Sequence, residues 1–224
     1  MLKAFKNFMV KRTISAKLRN RGMNTFSSHE IHKNIRTSAE AKREKENRPH
    51  EVLYFHKVDD PYSHLTIHYI DKIKSSFDVV LKPILVGEEN SEAVHEPSMY
   101  NIYCLDDAKR IAPFYGVEFS AESYPSKELI DKSNSILTAV EDDNFSEVAK
   151  KVSSALWDGD EESLNELTKH YAVTESEVSK SLETGNKIRN EKDYYFGSAF
   201  YYEKELYWGV DRLHHLEDRL IDLG

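Results

Sequence analysis

The residues with the most evident chemical potential lie in four places. His64, His68 and Asp71 stand at i, i+4 and i+7, a spacing that puts two imidazoles and a carboxylate on one face of a helix, as a metal site would. They lie opposite the apolar positions of that segment, and without a thiolate or a second carboxylate the pattern reads as a solvated polar face; no metal is expected. Cys104 shares an apolar helical face with Tyr100, Ala108, Ile111 and Tyr115, which is the setting of a small core residue and not of a nucleophile. Asp60-Pro61 is a helix start, with a carboxylate cap and proline at the first helical position. His214-His215 are adjacent in a terminal helical stretch, so one of the two is expected at the core or a cleft edge. A Gly-rich phosphate loop, a nucleophile elbow and a His-Glu-x-x-His pattern are all absent.

Composition narrows the chemistry further. Cys104 is the only cysteine in 224 residues, which excludes a dithiol pair, a disulfide framework and a multi-thiolate zinc site within this chain. No apolar run approaches the roughly 18 residues that a membrane span needs. The net charge of -8 is unevenly spread. Residues 1 to 48 carry 13 Lys+Arg against 4 Glu, leaving 18 against 35 for the remainder, so a basic arm at +9 precedes an acidic body at -17. The arm has too few periodic apolar residues for a core of its own and reads as a helical or flexible appendage. Its first 26 residues contain no acid and resemble an organelle transit segment; a cytoplasmic location is the expectation, with organelle targeting as the alternative. Nucleic-acid binding is not expected, because the acidic body opposes it.

The candidate residues need elements to hold them. Glu51 to His56 reads as a buried strand, Asp60 starts a helix that ends near Ser76, and Phe77 to Val86 reads as a second strand stopped by Gly87. Two strands joined through a helix pair in parallel. From Glu96 to Asn190 the periodicity is helical, with start signals at Ser98, Ser126, Asp160 and Thr174 and stops at Gly116 and Gly159, giving four or five helices. Ala199 to Glu203 and Leu206 to Trp208 then flank a turn at Glu203-Lys204-Glu205, and Val210 to Leu223 forms a last amphipathic helix. The expected architecture is an α/β thioredoxin fold, βαβ then ββα, over residues 49 to 224, with an all-helical insertion at about 96 to 190 between the halves.

Three motifs carry a resemblance to a known family. Val52-Leu53-Tyr54-Phe55 leading into Asp59-Asp60-Pro61-Tyr62-Ser63-His64-Leu65 resembles the "FxxSPYSYL" opening of 2-hydroxychromene-2-carboxylate isomerases and kappa-class glutathione transferases, within the DsbA-like thioredoxin family. Phe196-Gly197-Ser198-Ala199-Phe200 is similar to that family's "FGxPTF", and Trp208-Gly209-Val210-Asp211-Arg212-Leu213 to its "WGxDRL". The resemblance implies a glutathione-dependent isomerase or transferase acting on a small aromatic or electrophilic compound. It places catalytic roles at Asp60 and Ser63 and glutathione contacts at Pro61, Ser198, Ala199, Asp211 and Arg212. It also implies a homodimer or a tandem partner domain. Two positions depart from the pattern. The serine that hydrogen-bonds the glutathione sulfur is Asp60 here, and an ionised carboxylate offers no proton and repels a thiolate. Ala199 stands where the family has a cis-proline, and a cis bond before alanine would cost about 2.5–4 kcal/mol, so a trans bond and a reshaped cleft are expected. These departures support an alternative reading, a binding or dimerisation module that keeps the fold without the chemistry.

Overall fold

A computed structural model describes residues 17, 20–24, 28–88 and 94–222. Residues 1–16 of the basic arm and Leu223 lie outside the described residues. The chain forms two compact units, Met1–Pro49 and His50–Gly224. In the first, helix α1 (His29–Lys45) starts at Ser28, whose side chain accepts the Ile31 N–H. It ends with Lys42, Arg43 and Lys45 in the last turn, where cations complement the carbonyl end of the dipole.

The second unit has a DsbA-like thioredoxin fold. Strands β1 (Glu51–His56), β2 (Val80–Leu85), β3 (Ala199–Tyr202) and β4 (Glu205–Trp208) form one sheet in the order β2-β1-β3-β4. β1 and β2 are parallel, with Val52 beside Leu81 and Tyr54 beside Pro83; β3 runs antiparallel to both β1 and β4. Helix α2 (Pro61–Ser76) makes the crossover between β1 and β2. β2 begins later than the sequence suggests, because Phe77 serves as the extended C-cap of α2 and donates its N–H to the Ile73 carbonyl. Glu203 and Lys204 both have positive φ and form the two-residue hairpin turn, so Glu205 opens β4 and is not part of the turn.

Between the halves lie α3 (Pro97–Ile111), a 3₁₀ turn (Ala112–Tyr115), α4 (Lys127–Thr138), α5 (Asp142–Asp158), α6 (Glu161–Thr168) and α7 (Glu175–Asn190). Ser126, Asp160 and Thr174 are caps as expected, and Thr174 closes a capping box with Glu177. Ser98 is not a cap; α3 starts one residue earlier, with Pro97 in its first turn. Gly116 and Gly159 end their helices in the left-handed region, which suits a residue without Cβ. A last 3₁₀ turn (Val210–Arg212) leads into α8 (Leu213–Ile221).

The main core joins Val52, Tyr54, Ile67, Ile70, Phe200, Tyr207, Leu213 and Leu216 to Ile136, Phe145 and Val152 of the insertion. A smaller cluster of Phe55, Val86 and Ala199, with Ile188 and Tyr194 against it, covers the other side of the sheet. There α7 lies so close to β2 that a Cβ on Gly185 would sit 1.8 Å from the Leu85 carbonyl oxygen. One turn on, the buried Arg189 donates to the carbonyls of Gly87 (3.4 Å) and Glu88 (3.1 Å), and Asn186 accepts the Gly87 N–H at 2.9 Å. Helix α7 thereby fixes where the chain leaves β2.

Candidate functional site

The start of α2 is held by a tight group of hydrogen bonds. Asp60 has extended backbone angles and caps the helix: Oδ1 accepts the Tyr62 N–H (3.2 Å), and Oδ2 accepts the Ser63 N–H (3.0 Å) and the Ser63 hydroxyl (2.7 Å). Ser63 Oγ in turn accepts the N–H of Ser198 at 2.9 Å and that of Lys57 at 3.3 Å. The Ser63 hydroxyl, to which the resemblance gives a catalytic role, therefore donates its hydrogen bond to Asp60, and Ser63 is fully buried. It is a junction between two loops.

The loop before β3 bears out one expectation and refines another. Ser198 reaches the first turn of α2, and no peptide bond among the described residues is cis, so the Ser198–Ala199 bond is trans. Ser198 itself has φ +50°, and its Oγ pairs with Thr66 Oγ1 at 2.7 Å. Ser198 and Ala199 are completely buried, with Ala199 in the cluster behind the sheet. The residue of this loop that faces the helix start is Gly197. A Cβ there would lie 2.7 Å from Lys57 Cβ, 3.0 Å from Asp60 Oδ2 and 3.1 Å from Ser63 Oγ.

In front of this junction opens a cleft of about 360 Å³. Lys57, Asp59, Asp60 and Pro61 form one side, Tyr100, Asn101 and Cys104 of α3 another, and Phe196, Gly197 and Trp208 a third. Phe196 is stacked between Tyr100 (centroids 5.7 Å, planes 19° apart) and Trp208 (5.0 Å, 12°), so three rings make a nearly parallel wall. Lys57 Nζ is 3.2 Å from Asp59 Oδ2, and Glu88 lies at the rim. Tyr62 Oη donates to Asp107 Oδ2 at 2.8 Å and ties α2 to α3. Cys104 is 2% exposed, and burial pushes its thiol up to about 11, so it is neutral at pH 7. Burial, followed by the negative charge of Asp60, also raises the Tyr194 phenol and keeps it a neutral donor.

Asp60 and Pro61 thus line the cleft, Ser63, Ser198 and Ala199 lie behind it, and Asp211 and Arg212 are absent from its wall. The last two pair with each other at 2.5 Å on an exposed turn, where Asp211 Oδ1 lies 2.7 Å from the position a Cβ on Gly209 would take. Sequence reasoning missed Tyr100, Phe196 and Trp208 as one wall. The signal was the pair of aromatics flanking two of the motifs, but their stacking depends on how α3 folds back.

The polar face of α2 is solvated only at Asp71, which is exposed and pairs with Lys150. Helix α5 covers the other two residues: His64 Nδ1 is 2.8 Å from Ser153 Oγ, and His68 Nε2 is 3.3 Å from Ser154 Oγ. Burial pushes the His64 imidazole down to about 4, with His68 adding to the shift. No group of three metal-ligating side chains occurs among the described residues. His214 and His215 are both exposed, because Leu213 and Leu216 take the core positions of α8.

No protein-family model and no curated protein matches the chain. Solved structures do resemble it, among them the following two. A 2-hydroxychromene-2-carboxylate isomerase is 17% identical, with 77% of this chain and 95% of that one covered and a TM-score of 0.57. A candidate protein disulfide isomerase from Nitrosomonas europaea is 12% identical, covering 78% and 98%, with a TM-score of 0.52. At such identities the likeness establishes the DsbA-like fold.

Proposed function

We propose that the cleft at the start of α2 binds a small aromatic compound, with Asp60 accepting a proton or hydrogen bond from it. The observation that carries this reading is the wall of Tyr100, Phe196 and Trp208 standing beside a helix-capping carboxylate. Flat rings supply area for a flat ligand. A carboxylate held by backbone N–H groups at a helix start stays ionised and can act as a general base within hydrogen-bond reach of the ligand. An isomerisation that moves one proton fits this equipment, and the isomerase that shares the fold lends it support. Dithiol exchange does not fit, since one buried, neutral thiol is all the chain has.

A glutathione-dependent isomerase or transferase is the second reading, supported by the same shared fold. It requires a donor for the thiolate, which Asp60 lacks and Ser63 has already given to Asp60. Among the described residues lining the cleft, the carboxylates of Asp59, Asp60 and Glu88 also outnumber the ammonium of Lys57, so an anionic tripeptide is disfavoured relative to a neutral aromatic. Isothermal titration with 1-naphthol and, separately, reduced glutathione tests both. Saturable heat from 1-naphthol that Trp208→Ala weakens about tenfold is the expected result. Saturable heat from glutathione alone would replace the first reading with the second.

A further inference from the structure

The cleft carries a charge that a neutral ring leaves unused. Among the described residues that line it, Asp59, Asp60 and Glu88 are acids and Lys57 is the one base. The Lys57 side chain is 12% exposed and its Nζ lies 3.2 Å from Asp59 Oδ2, so those two charges offset each other. Asp60 and Glu88 remain. The nearest further base is Arg189, which is buried, donates to the carbonyls of Gly87 and Glu88 and does not line the cleft. Even with Arg189 counted, three acids stand against two bases.

The aromatic wall favours the same sign of ligand. Phe196 covers one face of Trp208, yet Trp208 is still 40% exposed and keeps open ring surface towards the cleft it lines. The face of an aromatic ring carries negative potential and attracts a cation, most strongly on an indole. Ring surface and carboxylates converging on one space favour a positive ligand and oppose a negative one. At about 360 Å³ the space is at the small end of ligand pockets, which suits one or two fused rings and not a long chain. We propose that the cleft selects aromatic cations, whose flat ring lies against Trp208 while a positively charged nitrogen faces Asp60 and Glu88. This assignment rests on the reading of the cleft as a site for a small aromatic compound and names the class of that compound. A protonated amine also gives Asp60 the hydrogen bond assigned to it there, in its stronger, charge-assisted form.

Isothermal titration of the full chain at pH 7 with three ligands that share one ring system tests this: 1-naphthylmethylamine, 1-naphthol and 1-naphthoate. The cationic amine should bind about tenfold more tightly than neutral 1-naphthol, and anionic 1-naphthoate more weakly than either. Raising sodium chloride from about 20 to about 500 mM should narrow the ratio of amine to naphthol affinity, because the cleft is open to solvent. Glu88→Gln should narrow it about threefold, whereas Lys57→Gln should widen it by releasing Asp59 from its ion pair, an opposite sign that loss of packing would not produce. Saturable 1-naphthol heat with no tighter binding of the amine would overturn the cation assignment and leave the aromatic site standing. Amine binding that Trp208→Ala does not weaken would also overturn it, as general attraction to the acidic body. No saturable heat from any of the three ligands would overturn the aromatic site and the cation assignment together.

Discussion

Ser63 and Ser198, 135 positions apart, are joined by a hydrogen bond of 2.9 Å in which the buried hydroxyl of the first accepts the backbone N–H of the second. The same hydroxyl donates to Asp60 and accepts from Lys57, so one side chain fixes both loops that frame the cleft. Ser63→Ala would leave the Ser198 N–H buried and unpaired. The expected cost is about 1–3 kcal/mol, read from the urea midpoint at an unchanged m-value.

Gly197→Ala tests the same junction by crowding it. The added methyl would meet Lys57 Cβ at 2.7 Å and Asp60 Oδ2 at 3.0 Å, so the loop must move away from α2. A loss of about 1–3 kcal/mol is expected in thermal unfolding, together with loss of 1-naphthol heat, because Phe196 would leave its place between Tyr100 and Trp208.

Acid should weaken the fold through two buried histidines. Burial, followed by the charge of His64, pushes His56 down to about 3, and His64 itself lies at about 4. Both native values lie below the ordinary 6.5, so the unfolded chain binds more protons throughout that interval. Stability is then complete above about pH 7 and falls as the pH drops from about 6.5 towards 4, at roughly 1.4 kcal/mol per pH unit for each histidine. Urea midpoints between pH 7.5 and about pH 5 would show the slope, and His64→Gln should reduce it.

Much of this arrangement is legible in the residues. The strand at Glu51–His56, the Asp60-Pro61 helix start and the Ser126, Asp160 and Thr174 caps are local signals, set by side chains within a turn of the backbone they serve. The misreadings at the site arise where a distant element decides. His64 and His68 look solvated until α5 packs across them, and Ser63 looks available until the Ser198 N–H arrives from the other end of the chain. Periodicity on α2 cannot reveal which insertion helix covers its polar side. Nor can the flanking aromatics of two motifs announce that Tyr100 of α3 will complete their stack.

Asp60→Ser separates capping from ligand chemistry. Serine caps nearly as well as aspartate, so stability should change by less than about 1 kcal/mol from the cap itself. Removing the charge and adding a hydroxyl should raise glutathione affinity by about tenfold, while 1-naphthol loses its proton acceptor and binds more weakly. Unchanged heats for both ligands with the fold intact would remove Asp60 from the site.

The most direct test of the cleft assignment is an amide-resolved NMR titration of the full chain with 1-naphthol. The account predicts saturable shifts concentrated at Tyr62, Cys104, Phe196 and Gly197, with Trp208 indole among the largest, and little change at Asp211 and Arg212. Shifts confined to Asp211, Arg212 and the exposed end of α8, or no saturable shifts at all, would contradict it.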